Sequence, residues 1–446
     1  MTTILITVDS LRYDYLLSEQ REIELPTIDR LVDDGLVFQN AIANAPYTAD
    51  SFTSILGGTY PWTYGTESKG FEPARPHLGE EFAKAGFDTA SIYTNPYLGP
   101  TFGYDRGFEY YAEGDDSTTV LGRARQLVVE NLSSDSTLFR VIQRYQRRIS
   151  STLSLELGGR PYTDAETVNN LFGAYLKDAS ASTFAWLHYM DVHSPFYPHP
   201  DTRSAGIDEP TAIETFYSTN LRPRDVTPSE IRTLKDLYLG EIQYLDQQLG
   251  ELLDIIDREI GLDDVTILFT SDHGEAFGEH GFCFHPKELY QELVHIPLIL
   301  YGSGFGQGSI ETPVSNVDVM PTLLDDAGLS PPESIEGRPL QEIIDEEPDQ
   351  RYVFSQAIGD DEKKAMIYDG RFKLIRELTT GSQEVYDIKE DPGEQDLLDG
   401  PTDVIDRLES AIEEHLSSMV TDSDMQPTER DVPDSVEEQL KSLGYE

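Results

Sequence analysis

Short apolar runs alternate with longer amphipathic stretches along most of this chain. Runs of β-branched, aliphatic and aromatic residues, which are typical of buried strands, lie at 4–8, 87–93, 183–189, 265–270 and 296–301. Apolar residues recur at helical spacing over 228–260, which predicts a long helix there. The alternation indicates an α/β domain with a mostly parallel central sheet.

The pattern changes after Pro331-Pro332. A small antiparallel sheet is predicted from strand-like pieces at 351–356, 364–368, 371–376 and 384–387. A helix is expected at 401–418, and the polar tail 419–446 is expected to hold only a helical turn or two at 434–443. We therefore divide the chain into a large domain, 1–345, and a C-terminal subdomain, 346–446.

Residues 112–165 have the polar, helical pattern of an insertion in the large domain. The only basic cluster of the sequence lies within it and consists of Arg140, Arg144, Arg147 and Arg148. These arginines fit either a solvated helix face or a gate for an anionic substrate.

The chain is strongly acidic. Its 33 Lys and Arg residues against 82 Asp and Glu residues give a formal net charge of −49 over 446 residues. The acidic residues are spread along a chain that is 38% hydrophobic, so we interpret it as a folded, halophilic protein of a salt-accumulating cytoplasm. An acidic surface for a basic partner would require clustering, and this charge disfavours nucleic acid binding.

The compartment is predicted from cysteine usage and from targeting patterns. Cys283 is the single cysteine, which excludes an internal disulfide. No signal-peptide pattern precedes the first apolar run, and no apolar stretch has the length of a membrane span. We expect a soluble, cytoplasmic protein; the sequence makes no prediction of its oligomeric state.

Candidate metal ligands follow two of the predicted strands. Asp272 and His273 stand at the end of the run 265–270, and Asp9 ends the run 4–8. Such folds bind their ligands at the carboxyl ends of the strands, and carboxylate with imidazole suits a divalent cation. Taken alone, Asp9 could equally cap the next helix.

Thr48 is the candidate nucleophile. It stands at the start of a short helix that the apolar spacing of 52–56 predicts and that Gly57-Gly58 closes. A helix N-terminus favours an anion or alkoxide, and a neighbouring metal would lower the pKa of the hydroxyl. The alternative is that Thr48 is merely the N-cap.

Several blocks resemble the sulfatase-type branch of the alkaline phosphatase superfamily, in the order of that family and over nearly the whole chain. They include Val8-Asp9-Ser10-Leu11-Arg12, the segment 48–61, Asp191-Val192-His193-Ser194-Pro195, Asp272-His273-Gly274, Asp318-Val319-Met320-Pro321-Thr322 and Asp391-Pro392-Gly393-Glu394. The resemblance implies a three-layer α/β sandwich whose catalytic domain is 1–345, and it implies a metal-dependent ester hydrolase.

The resemblance also implies roles for particular residues. Asp9, Asp272 and His273 would bind the cation, with Thr48 beside it in the place of the nucleophile. His193 corresponds to the histidine that faces the anionic or leaving group of the substrate. His285 and Lys287 are the two candidates for the basic substrate contact of the family.

Three positions depart from the family pattern. Sulfatases carry a cysteine or serine that becomes formylglycine, followed by x-Pro-Ser-Arg, whereas this chain has Thr48-Ala49-Asp50-Ser51-Phe52. Threonine cannot become that aldehyde, so we expect no formylglycine. Ser10 replaces the second aspartate of the opening pair. Tyr93-Thr94-Asn95-Pro96 replaces the Gly-Lys-x-His block, where Asn95 could contact the substrate as a neutral donor.

A threonine beside an Asp/Asp/His set resembles the phosphodiesterase and phosphoglycerol-transferase members of the superfamily. We interpret the chain as a hydrolase or transferase of phosphate or sulfate esters that acts through a covalent Thr48 intermediate, with phosphodiester-type chemistry favoured. The cation would be Ca²⁺, Mg²⁺ or Mn²⁺, with a second ion left open, and the substrate a small anionic ester, a glycan or a lipid head group. The alternative is a catalytically weak module that binds anionic glycans or lipid head groups; a phosphoglycerate mutase relative would need a serine nucleophile and a full two-metal ligand set.

Overall fold

The computed structural model describes residues 2–64, 70–113, 162–180, 182–302, 304–346, 348, 350–359, 362–398 and 403–419, with 432–433, 436–437 and 440. Most of the predicted insertion, including Arg140, Arg144, Arg147 and Arg148, lies outside these residues, as does most of the predicted turn at 434–443. At its two ends the predicted insertion overlaps regular structure, a strand that ends at Glu113 and a helix that begins at Ala165.

The strands and α-helices of the described residues are numbered in chain order. The strands are β1 (Thr2–Val8), β2 (Leu36–Phe38), β3 (Ala41–Ile42), β4 (Asp88–Tyr93), β5 (Tyr110–Glu113), β6 (Thr183–Tyr189), β7 (Val265–Ser271), β8 (Ala276–Phe277), β9 (Cys283–Phe284), β10 (Leu298–Tyr301), β11 (Gly308–Ile310), β12 (Val314–Ser315), β13 (Val353–Ile358), β14 (Lys363–Tyr368), β15 (Phe372–Glu377) and β16 (Gln383–Asp387). The helices are α1 (Tyr13–Leu16), α2 (Pro26–Asp34), α3 (Thr48–Gly57), α4 (Leu78–Lys84), α5 (Ala165–Leu176), α6 (Glu209–Asn220), α7 (Pro228–Glu259), α8 (Gln291–Val294), α9 (Val319–Asp326), α10 (Leu340–Glu346) and α11 (Asp403–Ser418).

An eight-stranded sheet forms the centre of the large domain, in the order β11-β2-β10-β7-β1-β6-β4-β5. The strands from β7 to β5 in this order run parallel, and β10 runs antiparallel to β7 and β2. The mostly parallel sheet predicted from the sequence is therefore confirmed. All five predicted strands belong to it, the last beginning at Leu298 rather than at 296.

The sheet is covered on both faces. Along β1, Ile4 and Ile6 pack in the hydrophobic core that contains α5 and α7, whereas Leu5 between them packs in the opposite core with Phe52 and Ile55 of α3. Central strands buried on both faces need apolar side chains at successive positions. This requirement explains why the strands appear in the sequence as continuous apolar runs.

The predicted C-terminal antiparallel sheet is also present, in the order β13-β14-β15-β16. Leu408 and Ile412 of α11 pack against Ile367 and Leu374 in its core. The main-chain N–H of Gln356 in β13 donates to the carbonyl of Asn44, just before α3. The C-terminal sheet is thereby connected to the segment that leads to Thr48.

No helix within the described ranges is both long and apolar enough to span a lipid bilayer.

Candidate active site

Polar side chains follow four parallel strands at one edge of the central sheet. Asp9 comes directly after β1, Asp272 after β7 and Asn95 shortly after β4, while His193 lies on the segment that follows β6. Because neighbouring parallel strands end at the same edge, residues far apart in the sequence meet there. Helix α3 also begins at this edge, with Thr48 as its first residue.

Asp9, Asp272 and His273 form a compact, fully buried cluster. Each offers one ligand atom, and these atoms lie within 4.8 Å of one another. His273 Nε2 is 3.6 Å from Asp9 Oδ1 and 3.6 Å from Asp272 Oδ2. Asp9 caps no helix, since the N-cap of α1 is Arg12.

The charges of this cluster are compatible with a divalent cation. Burial, together with the charge of Asp9, raises the pKa of Asp272 well above its usual range. Burial also opposes ionisation of Asp9, but the neighbouring His193 and His188 hold its pKa well below its usual range. Within the described residues, Asp272 Oδ2 has no hydrogen-bond partner. Two buried carboxylates beside an imidazole, with one oxygen unsatisfied, fit a bound divalent cation held by Asp9, Asp272 and His273.

Ser10, which replaces an aspartate of the family pattern, makes hydrogen bonds to both carboxylates. Its main-chain N–H donates to Asp272 Oδ1 at 3.2 Å, and its hydroxyl donates to Asp9 Oδ1 at 3.1 Å. It thus keeps the two carboxylates together without adding another negative charge.

Thr48 faces the cluster from the first turn of α3. Its Oγ1 is 3.4 Å from Asp9 Oδ2 and 3.4 Å from His273 Nε2. The N-cap residue is Tyr47, and Gly58 closes the helix in the left-handed conformation with φ 61°. The alternative that Thr48 is the N-cap is therefore wrong, because the threonine lies inside the helix with its hydroxyl directed at the acidic cluster.

Asn95 contacts the same two groups. Its Nδ2 donates to Asp9 Oδ2 at 2.8 Å and lies 3.5 Å from Thr48 Oγ1. Its Oδ1 accepts a hydrogen bond from the N–H of Tyr97 at 2.9 Å, which fixes the orientation of the amide. Asn95 therefore orients the Asp9 carboxylate, and its predicted contact with substrate stays a prediction.

The structure separates the two candidates for the basic substrate contact. The ring of His285 lies 5.1 Å from that of His193 and 5.3 Å from that of His273, measured between ring centroids. Lys287 is exposed, and its ammonium group lies 5.6 Å from the centre of the Tyr47 ring. His285 thus belongs to the histidine cluster, whereas Lys287 lies farther out, beside the residue that precedes Thr48.

Glu275 and His188 are two site residues that the sequence analysis did not single out. Glu275 is fully buried, and its Oε1 lies 3.5 Å from His285 Nδ1. Burial lowers the pKa of His285, but Glu275, together with the charges of Asp9 and Asp272, raises it above its usual value. His188 Nε2 lies 3.5 Å from Asp9 Oδ2. In the sequence, His188 could have been recognised as a basic side chain within a mostly apolar strand. Glu275 could have been recognised as an acidic residue directly after Asp272-His273-Gly274.

Comparisons with known proteins agree with this fold. The sulfatase family model matches residues 1–329, and the model described as N-sulphoglucosamine sulphohydrolase, C-terminal, matches residues 278–422. Arylsulfatase K of Xenopus laevis is 26% identical over 85% of this chain and 75% of its own length. Choline-sulfatase of Rhizobium meliloti is 38% identical, but the match covers only 29% of this chain and 26% of that protein.

Two solved structures share the fold at low sequence identity. One is a protein in complex with its substrate D-glucosamine-2-N,6-O-disulfate, with a TM-score of 0.71, 17% identity and coverage of 93% of this chain and 97% of that chain. The other is the phosphonate monoester hydrolase of Agrobacterium radiobacter, with a TM-score of 0.68, 19% identity and coverage of 93% and 95%.

Because the family model spans most of the chain, the protein belongs to the sulfatase family, within the alkaline phosphatase superfamily. It is a sulfatase-like ester hydrolase.

Proposed function

We propose that this enzyme cleaves or transfers a phosphate or sulfate ester through a covalent intermediate on Thr48, without formylglycine. The observation that carries the proposal is the position of Thr48 Oγ1, 3.4 Å from Asp9 Oδ2 and 3.4 Å from His273 Nε2, in the first turn of a helix. An unmodified hydroxyl at this place can act as the nucleophile.

Asp9, Asp272 and His273 are the residues that would hold the divalent cation. When bound, such a cation neutralises negative charge on the ester and favours the ionised form of a nearby hydroxyl. The identity of the ion, Ca²⁺, Mg²⁺ or Mn²⁺, is to be determined by metal titration of the purified protein.

In the first step, Thr48 Oγ1 attacks the phosphorus or sulfur atom in line with the bond to the leaving alcohol. The Thr48 hydroxyl loses its proton to solvent before the attack, because Asp9, whose pKa lies well below its usual range, is a poor proton acceptor. The ester bond breaks, and the leaving alkoxide takes a proton from His285, whose Nδ1 is oriented by Glu275 at 3.5 Å. His193 lies beside His285 and donates its Nδ1–H to the Ser194 carbonyl, so the Nε2 of the neutral ring is an acceptor on the substrate side.

In the second step, water or an acceptor hydroxyl attacks the Thr48 ester. Its proton passes to His285, and Thr48 leaves as the alkoxide. The enzyme returns to its starting protonation state, so the two steps balance.

The substrate class follows from the groups that surround Thr48. A sulfate monoesterase of the formylglycine type uses an arginine after the nucleophile and a lysine in the Gly-Lys-x-His block, and here the uncharged residues Phe52 and Thr94 stand at these places. Fewer positive groups suit an ester with fewer negative charges, which supports phosphodiester-type substrates such as lipid head groups or small anionic esters. Sulfated glycans are the second class to be assayed, since a protein of the same fold was solved with a sulfated sugar.

The test is an assay of the purified protein in molar KCl with Ca²⁺, Mg²⁺ or Mn²⁺ and with aryl sulfate, phosphate monoester and phosphodiester substrates. Mass spectrometry of the quenched reaction should find a phosphoryl or sulfuryl group on the peptide that contains Thr48. Metal binding without turnover of any ester would instead favour the alternative of a binding module for anionic glycans or lipid head groups.

A further inference from the structure

A chain of polar contacts runs along the central sheet from Trp186 to Asp9. Trp186 and His188 lie on β6, and Thr7 on β1 is paired in register with His188. Trp186 Nε1 donates to Thr7 Oγ1 at 2.9 Å, Thr7 Oγ1 lies 3.0 Å from His188 Nδ1, and His188 Nε2 lies 3.5 Å from Asp9 Oδ2. All four side chains are fully buried.

The donor and acceptor capacities of these groups set the direction of the hydrogen bonds along the chain of contacts. An indole N–H can only donate, so Thr7 Oγ1 is its acceptor. The single hydroxyl proton of Thr7 has two acceptors within reach, His188 Nδ1 at 3.0 Å and the carbonyl of Leu187 at 3.4 Å, and the shorter contact is with the imidazole. When Thr7 donates to Nδ1, the proton of the imidazole ring lies on Nε2, the nitrogen that faces Asp9.

We propose that His188 is a positioning residue for Asp9. Its Nε2–H, oriented by Trp186 and Thr7, fixes one carboxylate oxygen so that the other faces the cation site. The inference rests on the proposed function, in which Asp9 is a metal ligand.

The two oxygens of Asp9 have different contacts. Oδ2 receives the Asn95 amide at 2.8 Å, faces His188 and lies 3.4 Å from Thr48 Oγ1. Oδ1 accepts the Ser10 hydroxyl at 3.1 Å and lies 3.6 Å from His273 Nε2, its neighbour in the proposed cation site. Carboxylates that ligate metals are commonly held by such outer hydrogen bonds, and loss of one lowers metal affinity or activity by about 10- to 100-fold.

Asp9 is the polar group that His188 Nε2 contacts, and an aromatic ring packs against the imidazole. Phe52, which stands where sulfatases carry the arginine after the nucleophile, packs edge-on against the His188 ring with centroids 5.0 Å apart. The 3.5 Å contact with Asp9 is the only polar contact of His188 Nε2 within the described part of the chain. A buried imidazole N–H in an apolar surrounding is costly unless it has an acceptor, and Asp9 supplies one.

The test compares His188→Gln with His188→Met. The two new side chains have similar length and volume, but only glutamine can donate a hydrogen bond toward Asp9. We expect the affinity for Mn²⁺, measured by isothermal titration calorimetry in molar KCl, to fall about tenfold or more in His188→Met and to stay within about threefold of the wild-type value in His188→Gln. His77→Asn, at a fully buried histidine that caps α4, is the control and should leave Mn²⁺ affinity unchanged.

Equal Mn²⁺ affinity of the Met and Gln variants would overturn the inference. Thr7→Val provides the same test where position 188 does not tolerate change, because it removes the hydroxyl that orients His188; wild-type affinity in this variant would also contradict the proposal. Asp9→Asn distinguishes a failure of the proposed metal site from a failure of the proposed role of His188. If Asp9→Asn binds Mn²⁺ as the wild type does, the proposed metal site itself is wrong. If Asp9→Asn loses binding while His188→Met does not, only the role of His188 is wrong.

Discussion

At the scale of single residues, the position of Thr48 within its helix decides how a nucleophile can be tested. Tyr47 is the N-cap of α3, and no side-chain hydrogen bond caps the helix. The hydroxyl of Thr48 is therefore available for substitution without removing a cap. Chemistry and folding can be separated at this position more cleanly than is usual for a residue near a helix N-terminus.

Thr48→Ala should abolish turnover while leaving Mn²⁺ affinity near the wild-type value and the free energy of unfolding within about 1 kcal/mol. Thr48→Ser should keep part of the activity, because the hydroxyl is retained. The measurements are steady-state kinetics on the best substrate, calorimetric metal titration and urea unfolding. Full turnover by Thr48→Ala would mean that water attacks the ester directly, and the covalent mechanism would be wrong.

His285 and Lys287 should respond differently to the same substitution. His285→Gln removes the proposed proton donor, so kcat should fall by about 10²- to 10⁴-fold for an ester with a poorly acidic leaving alcohol. Lys287→Gln removes an exposed charge outside the histidine cluster and should raise KM while kcat changes little.

An ester of a strongly acidic phenol is the control for this comparison, because such a leaving group needs little protonation. The defect of His285→Gln should be much smaller with it. An equal defect on both kinds of ester would contradict the assignment of His285 as the acid.

At the scale of elements, the strands and helices whose pattern lies within one continuous stretch of sequence were predicted correctly. The central strands β1, β6 and β7 are buried on both faces, so each appears as an apolar run, and their ends mark the candidate ligands Asp9 and Asp272. The short strands β2, β5 and β11 were not predicted, because three or four residues are too few to show a period.

The partners of buried polar groups could not be predicted from local sequence. The contacts of His188 with Asp9 and of Glu275 with His285 depend on strand register and on the path of the chain after β7. Without the strand register and the path of the chain, His188 and Glu275 are only polar side chains near a motif. The division of the chain at 345/346 stays a prediction.

The segment after Asp272-His273 is held against α8 by close backbone contacts. The N–H of Gly274 donates to the carbonyl of Leu293 at 2.8 Å, and that of Glu275 to the carbonyl of Glu292 at 2.9 Å. A Cβ at Gly274 would lie 2.0 Å from the Glu292 carbonyl oxygen, so only glycine fits there. Helix α8 is in turn bound to the C-terminal sheet, because the N–H of Gln291 donates to Glu394 Oε2 at 2.6 Å.

A fully buried ion pair fixes Glu394 in that position. Lys373 Nζ of β15 lies 2.7 Å from Glu394 Oε1, and both side chains are inaccessible to solvent. Lys373→Met should destabilise the protein by about 3–5 kcal/mol, since it leaves the buried carboxylate of Glu394 without its counter-charge. The double variant Lys373→Met/Glu394→Gln should recover much of that loss, as measured by urea unfolding in molar KCl. A single variant as stable as the wild type would show that the pair does not hold α8.

At the scale of the whole molecule, the net charge of −49 is the dominant electrostatic feature. With 82 acidic residues against 33 basic ones, most carboxylates have no cation of the protein to pair with. Their mutual repulsion opposes the compact state, and only salt in the medium can reduce it. The screening length falls from about 10 Å at 0.1 M to about 3 Å at 1 M ionic strength.

The fold should therefore depend on high ionic strength. The melting temperature, followed by circular dichroism, should rise steeply between about 0.1 M and 1 M KCl, because at the higher concentration the screening length is shorter than most distances between surface carboxylates. Sucrose at equal osmolality is the control: it strengthens burial by exclusion from the surface but does not screen charge, so it should restore only part of the lost stability. If the melting temperature is the same at both salt concentrations, or if sucrose replaces KCl completely, charge repulsion is not what limits stability and the halophilic interpretation is wrong.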